Sequence, residues 1–141
     1  MLSPAESDLL VAERDPVVAV DGDGVFVFAN AAALALLGHT DLIGRPLETI
    51  IPERLRAAHR TGFARYRDTS RSRLRGKTLR VPALRGDDTE CEVDLTLRFF
   101  RRPDETLLAV GALRRERVGT PPEGLVRIEE VLRGRDYVSL P

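Results

Sequence analysis

The chain has 141 residues, 43% of them hydrophobic, which is enough for one domain with a real core and short extensions. Basic and acidic residues balance at 22 each, but unevenly: residues 1–50 carry eight acids against Arg14 and Arg45, while Arg54, Arg56, Arg60, Arg65, Arg67, Arg71, Arg73, Arg75, Lys77 and Arg80 crowd residues 53–80. No run of eighteen apolar residues spans a membrane, the N-terminus lacks the basic-then-apolar order of a signal peptide, and a lone Cys91 excludes an internal disulfide or a multi-cysteine metal site, so a cytoplasmic protein is expected.

Ser3-Pro4-Ala5-Glu6 is a capping box, opening a helix from Pro4 to about Glu13. Its apolar stripe, Leu9, Leu10 and Ala12, is too small for stability alone, so it must dock on something. Val17 to Val20 and Val25 to Phe28 are apolar β-formers separated by Asp21-Gly22-Asp23-Gly24, residues that tolerate positive φ and close a hairpin. Asn30 then caps the Ala-rich run Ala31 to Leu37, and Gly38 is the matching C-terminal residue. A hairpin that runs straight into a short helix must fold that helix back over the sheet.

Single turns at Thr40 to Gly44 and Pro46 to Ile51 precede a longer helix starting at Pro52, on which Leu55, His59, Gly62, Phe63 and Tyr66 form one inward stripe. From Lys77 the period changes to two. Leu79, Val81 and Ala83 alternate with polar neighbours, Gly86-Asp87-Asp88 turns the chain, and Cys91, Val93, Leu95, Leu97 and Phe99 form the apolar side of the next strand. One wet and one dry face fit an antiparallel sheet covered on one side. A last strand, Thr106 to Leu113, carries the small residues Ala109, Gly111 and Ala112. After Gly119-Thr120-Pro121-Pro122 come a short amphipathic helix, Glu123 to Arg133, and a possible strand at Tyr137-Val138-Ser139-Leu140.

The spacing D-x-D-G-x-x-x-x-x-N-x-A-x-x-x-L-x-G, from Asp21 to Gly38, resembles the opening of a PAS sensor domain. Leu42-Ile43-Gly44-Arg45-Pro46 resembles that family's L-I-G-x-P/S turn, IPERLRAAHRTGFARY its central helix, and LRVPALRGDDTECEVDLTL its paired strands. The resemblance implies an α+β fold with a five-stranded antiparallel sheet in the order 2-1-5-4-3 and short helices on one face. It divides the chain into an N-terminal amphipathic helix over residues 1–14, a PAS domain over 15–116 and a C-terminal extension over 117–141. The leading helix and the need to cover the sheet's outer face point to a homodimer.

What the residues offer is a binding module. No G-x-S-x-G, Walker loop, H-E-x-x-H or G-x-G-x-x-G is present, and Asp21 with Asp23 is explained by turn chemistry, so no enzyme is expected. The cleft should bring Phe28, Leu36, Leu55, His59, Phe63 and Tyr66 opposite Val93, Leu95 and Leu97. It holds either a small, mostly apolar ligand, whose occupancy changes dimer packing or partner binding, or the chain's own side chains in a ligand-free dimerisation and interaction module. His59 is the polar candidate; its plain alternative is a histidine bonded to a backbone carbonyl. A haem sensor through His59 is a further alternative. The positions where the resembled haem sensors place their ligand fall on Arg65 or Arg73, which have no lone pair to offer, so no metal and no cofactor is expected. Gly44-Arg45-Pro46-Leu47-Glu48-Thr49 stands where the light sensors of the family carry a reactive cysteine, which makes flavin unlikely. The basic band lacks interleaved aromatics, so nucleic acid is an unlikely partner and pairing with the chain's own acids is favoured.

Overall fold

Strands β1 (Val17–Asp21) and β2 (Phe26–Ala29) close around the Asp21 carboxylate, whose Oδ1 accepts from the amides of Asp23 at 2.9 Å and Val25 at 3.1 Å. Gly24 follows at φ 74, a conformation that costs a residue without Cβ little. This computed structural model describes residues 15–69, 78–115 and 123–140, with backbone only for 65–69 and 123–124. The helix read at Pro4 to Glu13, Arg73, and the side chains of Arg65 and Tyr66 therefore lie outside the described residues.

Asn30 ends β2 and starts helix α1 (Ala31–Leu37). Its Oδ1 accepts from Ala33 N at 2.9 Å, as an N-cap does, and also from Val17 N at 3.0 Å, while its Nδ2 donates to the Asp15 carbonyl at 2.7 Å. One buried side chain thus ties the entry of β1 to the entry of α1. At the other end Gly38, at φ 69, closes α1 in the left-handed conformation.

A 3-10 turn (Leu47–Ile50) and helix α2 (Glu53–Thr69) follow, then β3 (Thr78–Leu84), β4 (Glu90–Arg101), β5 (Leu107–Arg114), helix α3 (Glu123–Arg133) and β6 (Val138–Leu140). All strand pairs are antiparallel, and the sheet order is β2-β1-β5-β4-β3, as the family resemblance implied. A sixth strand joins it. β4 is long enough that β3 pairs with its first part and β6 with Phe99 to Arg101 near its end, so the two share one edge of β4.

The sheet separates two apolar clusters. Val18, Val20, Phe26, Val93, Phe99, Ala109 and Leu113 face α1 and the 3-10 turn. Val17, Ala19, Phe28, Phe100, Leu108, Val110 and Ala112 face the opposite way and pack with Leu125, Ile128 and Leu132 of α3. Within residues 15–116 the helices lie on one face as expected; α3 adds a helix on the other. Much of the cover that sequence reasoning assigned to a leading helix or a second subunit is supplied by the chain's own C-terminal extension. The reason is the i, i+3, i+7 spacing of Leu125, Ile128 and Leu132, whose burial contributes about 1.5 to 3 kcal/mol per side chain. Arg98 on β4 anchors the helix with an ion pair to Glu129 at 3.0 Å.

Phe28 is a correction. Period-two alternation from Val25 puts Phe26 and Phe28 on one face, but Val20 lies opposite Phe26 and Ala19 opposite Phe28. Val27 is thus an extra residue, a bulge that sends Phe26 to the α1 side and Phe28 to the α3 side. Ala112 likewise lies on the α3 side, so of the three small β5 residues only Ala109 and Gly111 border the cleft. A Cβ built on Gly111 would lie 3.4 Å from the tips of both Leu95 and Leu97, which fill the space that glycine leaves.

Candidate functional site

Backbone pairing beside β2 shapes the site. Phe26 N donates to Arg45 O at 2.9 Å, Gly44 N to Phe26 O at 2.9 Å and Leu47 N to Gly24 O at 2.8 Å, so residues 44–47 lie along the outer edge of β2. This sets Pro46, Leu47 and Glu48 next to the Asp23-Gly24 turn. Helix α2 crosses the same end of the domain, and between them runs a groove of about 280 Å³ lined by Asp23, Gly24, Pro46, Leu47, Glu48, His59, Arg60, Phe63 and Ala64.

Two features of the groove are chemical. Glu48 and Arg60 form a forked ion pair, with Nε to Oε1 at 2.6 Å and Nη2 to Oε2 at 3.2 Å. The hydrogen bonds from Arg60 hold the Glu48 carboxyl below its ordinary range. One turn back, the His59 ring lies 6.0 Å from the Phe63 ring, tilted by 31°. Its Nδ1 is buried and has no hydrogen-bond partner among the described residues. An unmet buried nitrogen costs about 1 to 3 kcal/mol, so this imidazole is not the carbonyl-bonded histidine of the plain reading.

Burial holds the His59 pKa below its ordinary value, and the Glu48 carboxylate only partly offsets this. The folded imidazole stays neutral where the unfolded one would already take a proton. Its contribution to stability is therefore full above the unfolded pKa of about 6.5 and is lost as pH falls below it. In thermal melts between about pH 7 and about pH 5.5, the parent is expected to lose more stability than His59→Phe. Equal losses would show that His59 protonates as freely folded as unfolded.

The sequence profile of the PAS fold matches residues 8–115. The chain belongs to the PAS family. A stretch of 100 residues is 37% identical to an uncharacterized protein of Azorhizobium caulinodans, covering 69% of this chain and 14% of that protein. The chain therefore spans about a seventh of that relative's length. The crystal structure of a PAS domain from Desulfitobacterium hafniense matches with a TM-score of 0.61 at 16% identity, covering 76% of this chain and 97% of that one. A LOV protein of Rhodobacter sphaeroides matches with a TM-score of 0.56 at 19% identity, over 77% of this chain and 62% of that one. At such identities these likenesses show the PAS fold alone. PAS domains are in general sensory and signalling modules.

The structure distributes the expected cleft residues unequally. Val93 is buried on the α1 side of the sheet, with Leu36, Phe63, Leu95 and Leu97 partly buried against the same cluster. His59 and Phe63 line the groove, Phe28 is on the far face, and Tyr66 has only its backbone described. Leu55 is 37% exposed, so it does not belong to the inward stripe. The stripe runs instead through Arg56, which is partly buried because its Nε reaches back to the Ile51 carbonyl at 3.0 Å. The turn at Pro46 to Ile51 was read as a wall of the cleft, but Arg60 and Gly24 were missed as groove residues, as was the pairing of Glu48 with Arg60, since only tertiary contact brings the 3-10 turn to α2. Three of the four arginines of the basic band whose side chains are described carry ion pairs: Arg54 with Glu90 at 2.6 Å, Arg60 with Glu48, and Arg80 with Asp94 at 3.1 Å. No cluster of metal-ligating side chains occurs among the described residues, and no described helix is long and apolar enough to cross a membrane.

Proposed function

We propose that this chain is a non-catalytic cytoplasmic PAS sensor that binds a small, mostly apolar ligand between α2 and the sheet and signals through a homodimer or a signalling partner. The observation that carries the reading is His59. A half-buried imidazole with an unmet nitrogen stands beside Phe63 in a groove that combines apolar walls, Gly24, Pro46, Leu47 and Ala64, with the charged residues Asp23, Glu48 and Arg60. That combination is how small-molecule sites are built. A ligand that meets the nitrogen repays its cost of burial, so binding and conformational preference are linked.

A second reading has its own observation. The tips of Leu95 and Leu97 occupy the space over Gly111, which favours a cleft filled from within and a domain that acts by dimerisation or protein contact without a ligand. Haem is a third reading, through His59, the imidazole of the described groove lining.

Native mass spectrometry and an absorbance spectrum of the freshly purified full chain test these readings together. The expected result is a colourless dimer with a retained or exchangeable small molecule. A dimer that never carries or accepts one supports the interaction module, and a Soret band lost in His59→Ala would make the protein a haem sensor.

A further inference from the structure

We propose that the groove between the β1–β2 turn, Pro46 to Glu48 and α2 takes a neutral aromatic molecule of one or two rings with a single hydrogen-bonding group, its ring against Phe63 and that group on His59. This rests on the ligand-binding reading above and names the class of ligand.

Size comes first. A volume of about 280 Å³ lies at the lower edge of small-molecule sites, which suits one or two fused rings. Shape follows from Gly24. A Cβ there would come within 3.9 and 4.0 Å of Phe63 Cε1 and Cζ, so the edge of the Phe63 ring stands against the bare turn backbone. An aromatic ligand meets such a ring in offset or edge-to-face contact.

Charge decides against ions. The guanidinium of Arg60 is held by both oxygens of Glu48, so an anion would have to break a forked pair and then lie beside the Glu48 and Asp23 carboxylates. A cation finds Glu48 already paired, and Asp23 exposed at the rim where water competes for it. The other described lining residues, Gly24, Pro46, Leu47, Phe63 and Ala64, offer no side-chain partner to a desolvated charge. His59 is then the polar group left to make a directional bond. Its Nδ1 has no partner among the described residues and is shut off from solvent, so binding must turn the ring about Cβ–Cγ to bring that nitrogen to a donor from the ligand.

The test is a titration of the full chain with indole as the neutral N–H donor, indole-3-carboxylate as the anion and tryptamine as the cation, followed by NMR shifts of the His59 ring, Phe63 and Gly24. Indole is expected to saturate shifts at these three residues, and the two charged analogues to bind about tenfold more weakly or worse. His59→Phe and Phe63→Leu should each weaken indole by about tenfold while keeping the parent's circular dichroism. Charged analogues that bind as well as indole, or indole shifts that do not saturate at these residues, overturn the proposal whether or not either variant folds. If indole fails while the purified protein retains some other small molecule, the class is wrong and the sensor reading stands. If nothing is retained and nothing binds, both fail.

Discussion

Asn30→Ala is expected to lower the thermal midpoint by roughly 10 °C. Losing the cap to Ala33 alone costs about 0.5 to 2 kcal/mol. Asn30 is 6% exposed, and its Oδ1 also satisfies Val17 N at the start of a central strand, a donor that the substitution leaves buried and unmet at about 1 to 3 kcal/mol more. The total is about 1.5 to 5 kcal/mol, which for a chain of this length brackets the stated shift. Asn30→Asp separates the two roles. It keeps the acceptor for Ala33 and Val17 but replaces the donor to the Asp15 carbonyl with a charged oxygen, so it should fall between parent and alanine. A midpoint for Asn30→Ala within about 2 °C of the parent would mean that water replaces these bonds at no cost and that α1 is held by packing alone.

Gly86→Ala is expected to be comparably damaging for a steric reason. The turn between β3 and β4 reaches across to the end of α1, where Gly86 N donates to Leu37 O at 2.9 Å. A Cβ on Gly86 would sit 2.2 Å from the Gly38 carbonyl oxygen. That neighbour is backbone and is itself fixed by the left-handed cap of α1, so the two segments must separate and their hydrogen bond must lengthen or break. Overpacking of this kind costs about 1 to 3 kcal/mol, and the lost bond about 1 more. Chemical denaturation should show a lower midpoint with an unchanged slope. A variant as stable as the parent would show that the turn is free to move away from α1. Because α1 packs against Val18 and Val20 on the cleft side, both substitutions should also loosen the cleft.

The chain order of the elements was legible because each carries local chemistry. Asp21 to Gly24 specifies its turn through its own side chain and a positive φ, Asn30 and Gly38 bracket α1, and period two marks β3 and β4. His59 and Phe63 were legible as a pair because one helical turn separates them. Leu125, Ile128 and Leu132 showed in advance that α3 has one apolar face. None of these inferences needed a distant residue.

Other features had no local signal. The bulge at Val27 leaves the composition of β2 unchanged, and only its register against β1 reveals that Phe28 points away from the cleft. Where α3 would put its apolar face could not be read from the helix itself, since a stripe shows what must be buried and not what will bury it. Glu48 and Arg60 are twelve residues apart on separate elements, and Gly38 and Gly86 meet across the fold. Local interactions are set by spacings of two to four residues, so the sequence by itself determined the elements, their caps and turns, and the neighbours His59 and Phe63. Register, the choice of face and the pairing of groove charges depend on which segments touch once the chain has closed, and only the tertiary structure decided those.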